Sequence, residues 1–502
     1  MAQSCLRYSA TKKETTSKWS DIIKNSVQTA TEPKHIYLLN TVKRALNKDE
    51  TARRYTFGRK DPNKRNRTIM MVGETGTGKS ALINRMVNYI LGVEWEDKIR
   101  FEIIPDDGKR SQTESQDTEI NAYEIFGLDK LSVPFSLTVI DTPGYGNTRG
   151  LDKDKNIAQN LYIFLKSSSD VQQLDAVCLV VKASQKRLSP SQKYIFDAIL
   201  SNFGKNMNKN FMILITFSDW IPPLALSEYG APLLKDENNE PVYFLFNNLS
   251  LQKFAKKYEE TYKTAWDNGA ESFKEFFQTL DKMEPQNLKM TENVLKEHCL
   301  LEEGVRNLES QIKVEKEKHR ALEELQKSLE EHKEDMTKSN IYQNTSETRR
   351  CKWWVGICLM WGFLKNSVYI IRHAIWRLCA TIYRNYRKLR GKQYEAIPET
   401  CSSKGHQKED EERITDEDPK KDAKHKLTTE ISRLEKELKD IEAVKTKLME
   451  RCYRSVLELE QLALKFDSGS TPQSILRLIE MLKEKKDTKK VEKLQMMLKK
   501  TV

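Results

Sequence analysis

Short apolar runs alternate with amphipathic helical stretches between residues 61 and 282. Each run is five to eight residues long and rich in β-branched or aromatic side chains, which is typical of strands. Strands that alternate with helices predict an α/β domain with a mostly parallel, doubly wound sheet. The runs are RTIMMV (67–72), EINAYEIF (119–126), FSLTVI (135–140), LDAVCLVV (174–181), NFMILIT (210–216) and VYFLF (242–246).

The flanks of this region have a different pattern. Residues 1–60 are polar and basic, with one helical pattern at HIYLLNTVKRAL (35–46). Beyond Pro285 apolar residues follow 3–4 spacing, which predicts an imperfect coiled-coil helix over 283–340. An extended α-helical and coiled-coil region is therefore expected to follow the α/β domain.

Three further segments lie beyond residue 394. A charged stretch at 395–425 has the composition of a disordered linker. Residues 426–466 carry a cleaner coiled-coil seam, broken only by Lys445. The sequence STPQS then predicts the start of a C-terminal helix over 471–500, with Pro472 suited to its first turn.

A basic aromatic segment lies at 349–394. It holds eleven Lys or Arg residues between 349 and 392, no Asp or Glu in that span, and four of the eight tryptophans. Its uncharged run, 353–364, is too short to span a bilayer, so an amphipathic helix on an anionic membrane surface is favoured. Packing against the coiled coil and nucleic-acid binding are the alternatives, with nucleic acid the least favoured.

Composition narrows the class of protein further. The net charge is +12, and 31% of residues are charged, so much of the chain is expected to be solvated helix. The eight cysteines form no C-x-x-C pair and the histidines fall singly, which argues against a zinc site or a disulfide framework. The N-terminus carries no apolar signal region or Met-Gly start, and a cytoplasmic, peripherally membrane-bound location is expected.

A phosphate-binding loop stands between the first strand of the domain and a helical stretch. MVGETGTGKSALIN (71–84) contains the spacing G-x-x-x-x-G-K-S. Its glycines let backbone N–H groups curl around phosphates, while the lysine reaches the outer phosphates and the serine hydroxyl binds Mg²⁺. The predicted nucleotide-binding residues here are Gly73, Glu74, Thr75, Gly76, Thr77, Gly78, Lys79 and Ser80.

The phosphate sensor is predicted at FSLTVIDTPGYG (135–146). Asp141 ends a strand where its carboxylate can hold Mg²⁺ through water, and Gly144 offers a backbone N–H to a γ-phosphate. A D-x-x-G motif about sixty residues after the loop lysine, counted on this sequence, is the arrangement of a switch GTPase.

The base reader is predicted at NFMILITFSDW, where a strand ends in Thr216. The Asp219 carboxylate can accept hydrogen bonds from the ring N–H and the exocyclic amine of guanine. Phe217 stands where the usual N/T-K-x-D pattern has lysine, and its ring can stack on the base. The alternative is that Asp219 only caps the next helix. A second strand end supplies Asn247, Asn248 and Ser250 to close over the base.

With GETGTGKS, DTPGYG, TFSD and FNN in this order, residues 62–282 resemble the immunity-associated (GIMAP) GTPases and their septin-like and chloroplast-import relatives. DTPGYG is close to the septin form, and FNN is similar to the immunity-associated form. The resemblance implies a Ras-like P-loop GTPase domain, GTP or GDP with Mg²⁺, and dimers that pair their nucleotide sites.

The resemblance also implies roles for two further residues. A switch threonine that meets Mg²⁺ and the γ-phosphate is expected at Thr113, with Thr118 as the alternative. A catalytic arginine acting across a dimer is expected at Arg187, where Lys186 replaces the usual preceding glycine. Lys79 is the other catalytic candidate. Tyr145 follows D-x-x-G where Ras-type enzymes carry a water-orienting glutamine, so intrinsic hydrolysis is expected to be slow.

Together these features predict a GTP-binding protein and slow GTPase that acts as a nucleotide-controlled oligomerising switch at a membrane surface. Homo-oligomers would form through the GTPase domain and the coiled coils. The alternative is a septin-like structural scaffold in which GTP is an interface cofactor with little hydrolysis. The Tyr145 position favours the scaffold, and the Arg187 candidate favours the enzyme.

Overall fold

The computed structural model describes residues 18–32, 34–105, 119–126, 132–146, 151–168, 170–184, 189–221, 233–248, 256–342, 419–466 and 471–499. The chain divides into two compact units. The first comprises Met1–Val314 with Ile441–Val502, and the second comprises Glu315–Asp440. The α/β domain lies in the first unit.

Thirteen strands occur in the described residues, and most are short. The N-terminal ones are β1 (Val27–Ala30), β2 (His35–Leu38), β3 (Val42–Ala45), β4 (Ala52–Phe57), β5 (Asn66–Gly73) and β6 (Ile99–Glu102). The others are β7 (Ile120–Ile125), β8 (Ser136–Asp141), β9 (Gln173–Leu174), β10 (Ala176–Lys182), β11 (Phe211–Thr216), β12 (Tyr243–Leu245) and β13 (Gln286–Asn287).

The helices of the described residues fall into two groups. Those of the α/β domain are α1 (Ser20–Lys24), α2 (Lys79–Ile90), α3 (Leu151–Ser167), α4 (Pro190–Ser201) and α5 (Glu259–Lys282). The C-terminal part contributes α6 (Lys289–Tyr342), α7 (Pro419–Leu462), α8 (Thr471–Glu484) and α9 (Thr488–Lys499). Short 3₁₀ turns occupy Lys205–Lys209 and Lys256–Tyr258.

The main sheet has eight strands in the order β12-β11-β10-β5-β8-β7-β4-β3. β7 runs antiparallel to β8 and β3 antiparallel to β4, while the other neighbours are parallel. Both faces of the sheet are covered, and β5 carries a continuous apolar run over 69–72: Ile69 and Met71 enter one core layer, and Met70 and Val72 enter the other. The predicted α/β fold with a mostly parallel sheet and a following helical region is confirmed.

A separate apolar cluster joins the C-terminal helices within the first unit. It combines residues at the start of α6, the end of α7, and both α8 and α9. Leu301 and Leu308 of α6 are buried there with Val456 and Leu459 of α7. The final helices therefore share a core with the helix that follows the α/β domain.

The second unit consists, in its described part, of the remainder of α6 and the beginning of α7. The Lys318 ammonium binds the Glu437 carboxylate, which joins the two helices within one chain. A coiled coil between chains stays a prediction.

The N-terminal prediction was wrong in its secondary structure. The pattern at 35–46 forms β2 and β3, not a helix. β2 pairs with β1 and β6, while β3 forms the edge of the main sheet beside β4. Pairing with partner strands overrides the local helical pattern. The domain therefore begins before residue 61.

Two C-terminal boundaries also differ from the prediction. α7 begins at Pro419, so the end of the predicted linker is helical; residues 395–418 lie outside the described part. The predicted helix 471–500 is interrupted after Glu484, where Lys486 adopts a φ of +59°. The Asp487 side chain accepts from the Lys490 N–H at 3.3 Å, and α9 starts at Thr488. An acidic residue that caps the new helix explains the break.

Candidate functional site

The candidate site lies at the carboxyl edge of the main sheet. β5, β10, β11 and β12 are parallel neighbours there, so their carboxyl ends meet at one edge. Ligands of open α/β sheets bind in this position, outside the carboxyl ends of the strands. The predicted phosphate loop follows β5, and the predicted base reader follows β11.

The phosphate loop is folded tightly between β5 and α2. Gly76 and Gly78 have φ values of +76° and +82°, a conformation that favours glycine. The Lys79 ammonium donates to the carbonyls of Gly73 at 3.1 Å and Glu74 at 3.0 Å. Burial lowers its pKa, opposed by the charges of Asp141 and Glu74. The lysine is thus folded into the loop, where an incoming anion would meet its charge.

The predicted phosphate sensor is held directly against this loop. The Thr75 N–H donates to the Tyr145 carbonyl at 3.0 Å, and the Tyr145 N–H donates to the Gly73 carbonyl at 3.1 Å. Gly144 packs so closely that a Cβ on it would lie 2.6 Å from the Thr75 Cα. The Gly144 N–H itself makes no hydrogen bond within the described residues. The Gly144 N–H therefore lies beside the phosphate loop as a donor, and its contact with a γ-phosphate stays a prediction.

Asp141 and Ser80 have the properties expected of Mg²⁺-binding groups. The Asp141 Oδ1 is buried and has no hydrogen-bond partner among the described residues. Burial raises the pKa of Asp141 to about 6, and the nearby Lys79 charge opposes that rise. Ser80 is exposed at the first turn of α2. Because an orphaned buried carboxylate oxygen needs a partner, the residues present fit a hard cation with oxygen ligands.

The predicted base-reading segment, residues 216–219, is tied to the phosphate loop through Thr216. Its buried hydroxyl donates to the Thr77 carbonyl at 2.6 Å. Phe217 follows with a φ of +54° and keeps 52% of its surface exposed. A Cβ on Gly78 would lie 3.5 Å from the Phe217 ring and 4.0 Å from the Asn248 amide nitrogen. The structure therefore brings Thr216, Phe217 and Asn248 to the phosphate loop.

Asp219 makes only a local contact. Its Oδ1 accepts from the Ile221 N–H at 3.2 Å, which is a turn interaction. No hydrogen bond to its Oδ2 occurs in the described part of the chain. The Oδ2 is open to a ligand. The Oδ1 contact is a local one, as expected if Asp219 has only the alternative role of a cap.

The two asparagines after β12 differ in their contacts. The Asn247 amide donates to the Ser218 carbonyl at 3.0 Å, so it links this loop to the base-reading segment. The Asn248 Oδ1 is buried with no hydrogen-bond partner in the described residues. Asn248 is therefore the better placed of the two for a ligand.

Two residues near the site were not among the sequence predictions. Lys182 ends β10, and its Nζ lies 3.7 Å from the position of a Cβ on Gly76. Its ammonium makes no ion pair or hydrogen bond within the described ranges. Asn202 donates to the Tyr145 hydroxyl at 3.0 Å in the core. The sequence could have indicated Lys182, because it is a lysine at the end of a strand. Nothing in the local sequence indicates the contact between Asn202 and Tyr145.

Several predicted residues lie outside the described part of the chain. They are Thr113, Thr118, Arg187 and Ser250, together with the basic aromatic segment 349–394. Their assignments stay predictions. Among the described helices, none is long and apolar enough to cross a membrane.

A comparison with protein families agrees with this geometry. The septin family model matches residues 63–168. A search of curated proteins gave no match. The septin-like part of the expected resemblance is therefore confirmed over 63–168, and the immunity-associated part stays a prediction.

Solved structures provide distant similarities. Toc33 from Arabidopsis thaliana, in complex with Mg²⁺ and GMPPNP, is 16% identical with a TM-score of 0.26, over 42% of this chain and 86% of that one. A dimerization-deficient Toc33 mutant is 16% identical with a TM-score of 0.27, over 41% and 84%. The G domain of the T. maritima FeoB iron transporter is 15% identical with a TM-score of 0.22, over 43% and 100%.

Proposed function

We propose that this protein binds GTP and GDP with Mg²⁺ and acts as a slow GTPase and nucleotide-controlled oligomerising switch. The observation that carries the proposal is the pair of hydrogen bonds between the phosphate loop and the D-T-P-G-Y segment, from Thr75 N–H and from Tyr145 N–H. They hold Gly144 beside the loop with its N–H unpaired in the described part of the chain. A third phosphate would give that donor a partner, which is how such a segment distinguishes GTP from GDP.

The phosphate end of the nucleotide would meet two lysines. Lys79 lies inside the loop and Lys182 lies over Gly76. Ser80 and Asp141 would hold Mg²⁺, with Thr113 as the expected third group. When bound, the ion supplies positive charge that neutralises the phosphate oxygens. The orphaned Asp141 Oδ1 supports its part of this assignment.

The base end would be guanine-selective through Asp219. Its Oδ2 and the exposed Phe217 ring both lie where β11 ends. A carboxylate pairs with the two N–H groups on one edge of guanine, which adenine does not offer. The Phe217 ring would stack on the base in place of a lysine stem.

Hydrolysis is proposed to be slow because Tyr145 points away from the reaction. Its side chain is 3% exposed, and its hydroxyl accepts from the Asn202 amide. A buried, hydrogen-bonded phenol does not orient an attacking water. Arg187 from a second protomer is proposed to supply transition-state charge, an effect worth about 1,000-fold or more in known systems.

The same burial of Tyr145 supports a second candidate function. In that case the chain is a scaffold that retains GTP at an interface and seldom hydrolyses it. For either function we place the protein in the cytoplasm, with segment 349–394 on an anionic membrane and homo-oligomers formed through the GTPase domain and coiled coils. The net charge of that segment is the basis for the membrane proposal.

Phosphate release measured against protein concentration separates the two functions. The enzyme predicts that the rate per protomer rises as dimers form, and that Arg187→Ala abolishes the rise without loss of GTP affinity. Lys193→Ala, on an exposed position of α4, serves as the charge-matched control. A flat, negligible rate while dimers form would exclude the enzyme and leave the scaffold.

A further inference from the structure

The end of α4 contacts both the phosphate sensor and the C-terminal helices. Residues 201–204 are consecutive, and each forms a hydrogen bond with a different partner through main-chain or side-chain atoms. All four are buried. These four residues form the α4 hub.

Toward the nucleotide site, the hub binds Tyr145. The Asn202 Nδ2 donates to the Tyr145 hydroxyl at 3.0 Å, with both side chains in the core. Packing reinforces this bond, since a Cβ on Gly146 would lie 2.5 Å from the Ile195 Cδ1 of the same helix. The segment that carries Gly144 therefore rests on α4 through a polar bond and close packing.

Toward the C-terminal helices, the other three hub residues make four contacts. The His298 Nε2 is 3.0 Å from the Ser201 carbonyl, and the Gly204 N–H donates to the Thr291 hydroxyl at 3.2 Å. The Leu464 N–H donates to the Phe203 carbonyl at 2.8 Å, and Gly204 forms an antiparallel bridge with Ala463.

An ion pair and a lysine–carbonyl hydrogen bond extend the same attachment to residues on either side of the hub in the sequence. Lys465 binds Asp197 of α4 at 2.6 Å, and the Lys205 ammonium donates to the Glu460 carbonyl at 2.9 Å. The segment 459–466 is thus held against the end of α4 and the residues that follow it by hydrogen bonds, a bridge and an ion pair. Tyr145 is held there by the Asn202 bond.

We infer that Asn202 is a positioning residue that couples the Gly144–Tyr145 segment to the docking of segment 459–466. The inference rests on the proposed nucleotide function. A γ-phosphate that captures the Gly144 N–H shifts Tyr145, and the buried Asn202 bond transmits that shift to the hub. Because coupling is reciprocal, a change in docking must alter the relative affinity for GTP and GDP by the same factor.

Hydrogen exchange on the full chain tests whether the bound nucleotide affects the docking of segment 459–466. Segment 459–466 is compared with GDP and with a non-hydrolysable GTP analogue, in the wild type and in the Tyr145→Phe, Asn202→Ala double variant. The double variant removes both partners, which avoids leaving one buried group unpaired. We expect a protection difference of at least about threefold between the two nucleotides in the wild type, and none in the double variant.

Reversal of a charge in segment 459–466, at a distance from the nucleotide, tests whether docking affects nucleotide affinity. Lys465→Glu faces Asp197 and weakens docking on α4, whereas Arg477→Glu faces Glu309 within the helical cluster and is the matched control. We expect Lys465→Glu to change the ratio of GTP-analogue to GDP affinity about threefold, with the ratio unchanged in Arg477→Glu.

The outcomes separate this inference from the proposed function. If the wild type binds the analogue but shows equal exchange at 459–466 in both nucleotide states, the coupling is wrong and the nucleotide function stands. An unchanged affinity ratio in Lys465→Glu also overturns the coupling alone. If the wild type binds no nucleotide, the proposed function fails and the coupling fails with it.

Discussion

The Thr216 hydroxyl donates a 2.6 Å hydrogen bond to the Thr77 carbonyl, which ties the end of β11 to the phosphate loop. Both residues are buried. This bond fixes the proposed base-reading segment relative to the phosphate loop, which is what the proposed binding of one nucleotide to both requires.

Thr216→Val removes the hydroxyl with little change in side-chain shape. The buried Thr77 carbonyl then loses its partner, at a cost of about 1–3 kcal/mol. We expect guanine-nucleotide affinity to fall about tenfold and the unfolding midpoint to drop, measured by fluorescent-nucleotide titration and urea denaturation. Thr279→Val, whose exposed hydroxyl bonds within α5, is the control and should change neither quantity. Wild-type affinity in Thr216→Val would contradict this role.

Lys182→Met tests the second cation at the phosphate loop. A hydrogen bond to a charged group is worth about 1.5–3 kcal/mol, so nucleotide affinity should fall about tenfold or more. The loss should be equal for GTP and ATP, because the charge would meet phosphates and not the base. Lys193→Met, at an exposed position of α4, should bind as the wild type does. Equal affinity for Lys182→Met and Lys193→Met would remove Lys182 from the site.

The buried His298 side chain is expected to make the free energy of unfolding depend on pH. Burial lowers its pKa below 6.5, opposed by the Ser201 carbonyl and the charges of Glu302 and Glu297; its Nδ1 is 3.3 Å from the Thr471 hydroxyl. Because the folded pKa is depressed, the unfolded state binds more protons below about pH 6.5, and the free energy of unfolding must fall as pH falls.

Urea denaturation at several pH values between about 7.5 and 5.5 measures this effect. His298→Gln should reduce the slope of stability against pH in that window. His319→Gln, at an exposed position on α6, should keep the wild-type slope. An identical slope in His298→Gln and the wild type would show that other groups carry the dependence.

Trp266 stabilises two buried arginines. The guanidinium carbons of Arg85 and Arg100 lie 3.3 and 3.9 Å from its ring centroid, and Trp266 is 2% exposed. Burial lowers the pKa of Arg85 well below its usual value, and the Arg100 charge adds to this. The Arg85 charge depends on the aromatic face because its Nε and Nη1 have no hydrogen-bond partner in the described residues, whereas the Arg100 guanidinium also donates to main-chain carbonyls such as that of Asp97.

Trp266→Leu should therefore cost roughly 3 kcal/mol of unfolding free energy, from lost burial and lost cation–π contacts. Tyr258→Leu removes an exposed ring that lies under Lys257 and is the control, with an expected loss below about 1 kcal/mol. Denaturant unfolding measures both. A similar small loss in the two variants would contradict a structural role for the Trp266 pair of contacts.

Local motifs explain why much of the site was predictable. The phosphate loop, Asp141 to Gly144 and Thr216 to Asp219 each lie at the end of an apolar strand in the sequence. Because parallel strands end at one edge, their residues had to meet there. The buried faces of β5 follow from the same alternation of apolar runs and helices.

The remaining features depend on partners far away in the chain. The strands within 35–45 exist because β1, β6 and β4 pair with them, and no local pattern reports such pairing. The Asn202 contact joins residues 57 positions apart through a buried amide.

The end of α8 could have been predicted from the sequence. Asp487 followed by Thr488 is a helix-start signal, which the many lysines around it obscured.

Guanine recognition separates the proposed function from that of a P-loop ATPase, and competition between GTP and ATP on the full chain with Mg²⁺ measures it. Asp219→Ala is measured in parallel, with Asp236→Ala as the control because Asp236 also accepts main-chain N–H groups in an exposed turn. We predict that GTP is preferred by at least about 100-fold, or about 2.7 kcal/mol, in the wild type and in Asp236→Ala, and that Asp219→Ala loses the preference. Equal competition by ATP in the wild type would contradict a guanine-specific site.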